Sequence, residues 1–109
     1  MRLVITPDDG RVSVDGYYFD DLDMSNLDNT IHAVQWYDTW GEVEFKTQLV
    51  GSQKVKPENQ LIDSVEPYQW AIDLWTVAKT EEEARIAAEE EQARKDAEAL
   101  EIPVVIVEE

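Results

Sequence analysis

The sequence predicts an α+β fold, and three features of its 109 residues carry that expectation. The first half breaks into short runs of β-branched and aromatic residues separated by Asp-Gly punctuation. At Pro67 the apolar spacing changes from two to between three and four. From Thr80 onward the composition turns to Ala, Glu, Arg and Lys, all strong helix formers. The expected architecture is a small antiparallel meander sheet of about four or five strands packed by one helix. A charged C-terminal helix and a short β-prone tail follow. The corresponding segments are a globular α+β body at 1–79, an acidic helical arm at 80–101 and a hydrophobic tail at 102–109.

Arg2 to Thr6 is the first strand. Pro7-Asp8-Asp9-Gly10 turns the chain, because Pro presets φ, Asp bonds its own backbone and Gly accepts a positive φ. Arg11 to Val14 returns as the second strand, and Asp15-Gly16 leads tightly into a third at Tyr17-Tyr18-Phe19. Asp20 to Asn29 is acidic and polar, with Leu22, Met24 and Leu27 as its apolar anchors, so it reads as a loop or a single helical turn pinned to the sheet. Thr30 to Tyr37 is apolar or aromatic at most positions and predicts a buried strand. After the turn Asp38-Thr39-Trp40-Gly41, Glu42 to Thr47 alternates, with Val43 and Phe45 facing one way and Glu42, Glu44 and Lys46 the other. Gly51 to Asn59 shows no periodicity, and Leu61-Ile62 predicts a short edge strand.

Tyr68, Ala71, Ile72 and Trp75 stand at i, i+3, i+4 and i+7, widened by Leu74 and Ala78, the stripe of a helix lying on a sheet. Pro67 suits a helix start, where its missing donor costs nothing. Thr80-Glu81-Glu82-Glu83 has capping-box spacing, which leaves open one helix or two. Between Thr80 and Glu101 nine acids face Arg85, Arg94 and Lys95, a net −6 on a segment whose apolar residues are mostly Ala. Such a helix has little to bury, so it reads as a solvated arm or one that pairs through a shallow Ala seam. Pro103 is expected to stop the helix before the run Val104 to Val107.

Charge and composition narrow the function. With 25 Asp and Glu against 9 Lys and Arg the net charge is −16, which repels nucleic-acid phosphate and anionic lipid, so neither is an expected partner. The chain contains no Cys, which excludes disulfides, thiolate metal sites and thiol nucleophiles. No apolar run reaches the roughly 20 residues of a membrane helix, and the Met1 to Ile5 start meets Asp8-Asp9 too soon for a signal peptide, so a cytosolic location is expected. His32, the single histidine, lies in a predicted strand and reads as structural. There is no G-x-S-x-G elbow and no glycine-rich phosphate cradle, so no enzymatic activity and no cofactor are expected. Asp20, Asp21, Asp23 and Asp28 have the density of a calcium loop. Set on an EF-hand template from Asp21, however, the turn glycine is Asn26 and the last ligand is His32, so no metal is expected.

Four Trp are present. Trp36 and Trp75 fit a sheet-on-helix core, whereas Trp40 at a hairpin tip and Trp70 between the helix stripe positions are candidate contact residues. The run Val104, Val105, Ile106 and Val107 is a further candidate, able to add a strand to another chain's sheet.

The block His32-Ala33-Val34-Gln35-Trp36-Tyr37, followed by Trp40-Gly41-Glu42-Val43-Glu44-Phe45, resembles small proteins encoded beside tail fibre genes in tailed bacteriophages. Pro57-Glu58-Asn59, Ile62 and Pro67-Tyr68-Gln69, leading to an acidic helix with Trp75, extend the resemblance over roughly residues 1 to 79. Members of that group are regarded as tail fibre assembly proteins or small tail-associated components. The resemblance implies a non-enzymatic protein whose partner is a phage tail fibre or other tail protein, acting in the host cytoplasm during assembly or in the virion. Homo-oligomerisation is also open. The alternatives are a structural component of the tail, baseplate or fibre attachment, and an acidic inhibitor that mimics nucleic acid on a host protein.

Overall fold

The computed structural model describes residues 1–106, with side chains up to residue 99. Its elements are β1 (Arg2–Thr6), β2 (Arg11–Val14), β3 (Tyr17–Phe19), β4 (Ile31–Tyr37), β5 (Gly41–Phe45), β6 (Gln48–Val50), β7 (Gln53–Val55), β8 (Gln60–Ile62) and α1 (Gln69–Ile106). The α+β architecture is as expected. Six strands form one antiparallel sheet in the order β3-β2-β1-β4-β5-β8, and β6 and β7 form a separate two-stranded hairpin. The main sheet is thus wider than four or five strands. The chain divides into two compact units, Met1–Val77 and the residues from Ala78 onward.

Turn chemistry sets the meander. Pro7–Asp9 forms a 3-10 turn ended by Gly10 in the left-handed region (φ 60°), whose N–H donates to Pro7 O. Asp15 (φ 51°) and Gly16 (φ 87°) both take positive φ, the arrangement of a two-residue loop that matches strand twist. Pairing β4 beside β1 then places Leu3 between Val14 and Trp36, and Ile5 between Val12 and Val34. Because side chains alternate, this register sends Leu3, Ile5, Val12, Val14, Val34, Trp36 and Val43 to one face, where all are buried. Ala71, from the first turn of α1, is fully buried against them, and Tyr68, Trp70, Ile72 and Trp75 pack around it. Leu22, Met24 and Leu27 close the layer from the loop after β3, as expected of the apolar anchors of that stretch. Trp75 meets Tyr17 and Phe19 edge-on, and its indole N–H donates to Tyr17 O at 2.8 Å.

Trp36 lies opposite Gly41, and the absence of a side chain there is required by space. A Cβ built at Gly41 would stand 2.5 Å from Gln35 O and 3.0 Å from the Trp36 ring. At His32 β4 carries one extra residue, since Ile31 pairs with Phe45 and Ala33 with Glu44.

Two expectations need correction. The stretch from Gly51 lacks apolar periodicity, yet its first residues close a hairpin: Gly51 (φ 65°) and Ser52 form a two-residue loop between β6 and β7. The helix does not stop at Pro103. It is one continuous element to Ile106, so Val104, Val105 and Ile106 are helical and not a strand, while Val107 lies outside the described residues. Proline removes one hydrogen bond from a helix but does not undo the nucleation already supplied by the preceding turns. From Ala78 onward the described side chains are half-buried at most, as the scarcity of large apolar residues requires.

These placements predict unequal costs of substitution. Leu3→Ala should lower the unfolding free energy by about 2–5 kcal/mol, and Gly41→Ala by about 1–3 kcal/mol through forced repacking. Ile86→Ala, at an exposed helix position, should stay within about 0.5 kcal/mol of the parent. Urea titration followed by tryptophan fluorescence measures all three.

Candidate docking surface

The second face of the six-stranded sheet carries the residues that alternate with the core. The register aligns Tyr18, Ser13, Val4, Gln35, Glu42 and Leu61 in one row across all six strands. Its two ends are the most open, with Tyr18 and Leu61 exposed and Leu61 at 70% of its full surface. The middle is smaller and more polar.

Two arginines organise this face. The Arg2 guanidinium lies 4.2 Å from the centre of the Tyr37 ring, and its Nη2 donates to Gln35 Oε1 at 2.8 Å. Tyr37 OH donates to the same oxygen at 3.0 Å, so Gln35 is held with its amide NH2 directed to Glu44, 3.0 Å away. The Arg11 guanidinium covers Tyr18 at 4.0 Å and pairs with Asp20 through two hydrogen bonds of 2.6 and 3.1 Å. This pairing holds the Asp20 carboxyl below its ordinary range and raises Arg11 further. Both contacts are partly or fully solvated, so they set geometry more than stability.

Trp40 stands beside this network. The turn from Tyr37 to Trp40 is closed by Tyr37 N–H donating to Trp40 O at 2.7 Å, with Asp38 at φ 82°. It brings the Trp40 ring onto Tyr37 with centroids 4.7 Å apart, while 46% of Trp40 remains in water. The Met1 amino group pairs with Asp38 at 2.8 Å, which raises the amine and lowers the carboxyl. An exposed indole held by stacking has already surrendered much of its rotamer freedom, and that reduces the entropy cost of docking.

The other candidates lie on other elements. Trp70 is half-buried against the core, so its exposed area is smaller than that of Trp40. Val104, Val105 and Ile106 are on the helix of the second unit. The clustered acids serve turns. Asp23 accepts from Ser25 N–H at 2.9 Å, and Asp28 accepts from Thr30 N–H and Oγ1 at 2.8 and 2.7 Å, each interaction holding its carboxyl low. Asp20 and Asp21 line a broad recess of about 610 Å³ with Asp8 and Asp9, but Asp20 is engaged by Arg11. Among the described residues no three His, Asp or Glu side chains are grouped as a metal site requires, and no helix is long and apolar enough to cross a membrane. His32 is exposed at the bulge, where it borders a recess of about 220 Å³ with Phe45, Lys46, Thr47 and Lys56.

The β6–β7 hairpin was missed as a surface feature. A signal was available, because residues 46–56 carry Lys46, Lys54 and Lys56 with no acid in a chain of net −16. Comparison of the chain with protein-family models, curated proteins and solved structures gave no match.

Acid sensitivity follows from the carboxylates. Asp20, Asp23, Asp28 and Asp38 have folded-state pKa values below their unfolded ones, so each contributes stability above the unfolded value near about 3.9. That contribution is lost as pH falls through the folded value. Tyr68 is shifted upward, first by burial and then by Asp28, so its contribution is complete below about 10 and is lost as pH rises through the folded value. Urea midpoints should therefore fall at both extremes. Asp20→Asn should flatten the acid limb and Tyr68→Phe the alkaline limb.

Proposed function

We propose that this chain is a non-enzymatic assembly protein of a tailed bacteriophage that docks onto the tail fibre and assists its folding and trimerisation. The observation that carries this reading is the exposed Trp40, stacked on a half-buried Tyr37 that Arg2 braces, beside an open sheet face. The resemblance of His32 to Tyr37 and Trp40 to Phe45 to proteins encoded beside tail fibre genes falls on this same hairpin. It names the partner class, and the exposed Trp40 ring supplies a means of attachment.

A β-rich fibre must pass through states with unpaired strand edges and exposed apolar patches, which associate wrongly if left open. A partner that covers them has to present apolar surface without aggregating itself. Tyr18, Trp40 and Leu61 provide such surface, separated by polar residues, and the −16 charge opposes non-specific aggregation. The reaction asked of the protein is reversible coverage, for which no bond-making group is needed. It acts in the host cytoplasm during assembly.

Co-expression with the neighbouring fibre tests the reading. The fibre should become soluble and trimeric only with this chain present, and Trp40→Ala should weaken the complex by about 2 kcal/mol, roughly thirtyfold in Kd, while circular dichroism stays unchanged. A fibre equally soluble and trimeric alone removes the chaperone role. Stoichiometric recovery from purified particles by mass spectrometry would instead make the chain a permanent tail component.

A further inference from the structure

The β6–β7 hairpin is solvent-exposed on every residue of both strands, with Leu49 at 71% and Val50 at 64% of their full surface. Its pairing sets Leu49 directly opposite Lys54, so both side chains share one face of the ribbon. Lys56, two residues beyond Lys54, borders the recess at the base of the hairpin together with Lys46 and His32. The result is an apolar residue flanked by cations, on the only stretch of the chain where three Lys occur with no acid between them.

The second unit carries the complementary pattern. Ile86 is an exposed large apolar residue on α1, at 40% of its full surface. Glu82, Glu83, Glu89 and Glu90 occupy the positions four and three before it and three and four after it, so they surround it on one helix face. Glu83 pairs with Lys79 at 3.3 Å and Glu89 with Arg85 at 3.0 Å, both in solvent-exposed ion pairs that leave the face anionic. A large apolar side chain ringed by carboxylates on a segment of net −6 is suited to a partner with an apolar centre and a cationic rim.

We propose that the two patches meet between copies: the Leu49-Lys54-Lys56 face of one copy docks on the Ile86 face of a second. Leu49 covers Ile86, and Lys54 and Lys56 stand against the glutamates. The net charge of −16 opposes any self-association, but at physiological salt the Debye length is about 8 Å, which screens distant charges and spares those in contact. Contact-range complementarity therefore decides the outcome. The proposal is independent of fibre binding and uses different residues from those of the Trp40 surface.

A charge-swap experiment on the full chain tests it by analytical ultracentrifugation at about 0.15 M salt. The parent should show a mass that rises with concentration above its 12.5 kDa, since a contact between two different patches can continue from copy to copy. Lys54→Glu with Lys56→Glu, and separately Glu83→Lys with Glu90→Lys, should each weaken association about tenfold or more. All four side chains are exposed, and circular dichroism should match the parent. Mixing the two variants should restore association, because each then offers the patch the other lacks. A parent that stays monomeric at all concentrations overturns the proposal. So does association that neither variant weakens, or that mixing does not restore.

Discussion

Leu3, Ile5, Val12, Val34 and Val43 are withdrawn from water on one side of the sheet, and the rest of the first unit is arranged around that layer. Each such side chain contributes about 2 kcal/mol when fully buried. The alternation that supplies them works only in one register, since a slip of one residue in any strand would turn that strand's share of the layer outward. The tight turns at Gly10 and at Asp15-Gly16 are therefore part of the same constraint, because they hold β1, β2 and β3 in that register. A single helical turn bearing Ala71 can seal the layer because alanine lets the helix approach closely and the larger Trp70, Ile72 and Trp75 fill the space beside it.

Burying one face leaves the other in water, and its composition follows from that. Arg2, Arg11, Gln35, Glu42 and Glu44 project from strands whose intervening residues form the core. Their mutual hydrogen bonds and ring contacts organise the open face without burying any charge. Trp40 gains its position from the same economy: the turn after β4 brings it onto Tyr37, whose own place is set by pairing with Arg2 across the sheet. The docking surface is thus a consequence of strand register as much as of the aromatic residues themselves. The Ala-rich helix represents the opposite case, a segment with too few large side chains to form a core and with its i,i+4 ion pairs in solvent.

Much of the first unit was legible because its signals are local. Asp-Gly punctuation, the alternation of Glu42 to Phe45 and the stripe from Tyr68 to Trp75 each specify an element within a few residues. The β6–β7 hairpin was obscure for a physical reason: both its faces are exposed, so no core selects a period, and only Gly51 and the turn length mark it. Trp40 was legible as a hairpin-tip residue, but its stacking on Tyr37 was not, since that depends on where the turn folds back. The helical state of Val104 to Ile106 was hidden by an opposite error, in which local β propensity and Pro103 outweighed the cooperativity of the helix already formed.

Sequence alone determined the alternation of the main strands, the tight turns at Gly10 and Asp15-Gly16, the single amphipathic stripe and the large negative charge. The charge is a sum over composition, and the others depend on neighbours within one turn or one strand. Tertiary structure alone decided that β4 lies beside β1, that the edge strand β8 pairs with β5 and that Arg2 reaches Tyr37 and Gln35. It also decided that Trp75 caps β3 through Tyr17 O. These contacts join residues 17 to 58 positions apart, and their selection rests on which arrangement buries the whole apolar layer at once, a sum over the folded body that no window of sequence contains.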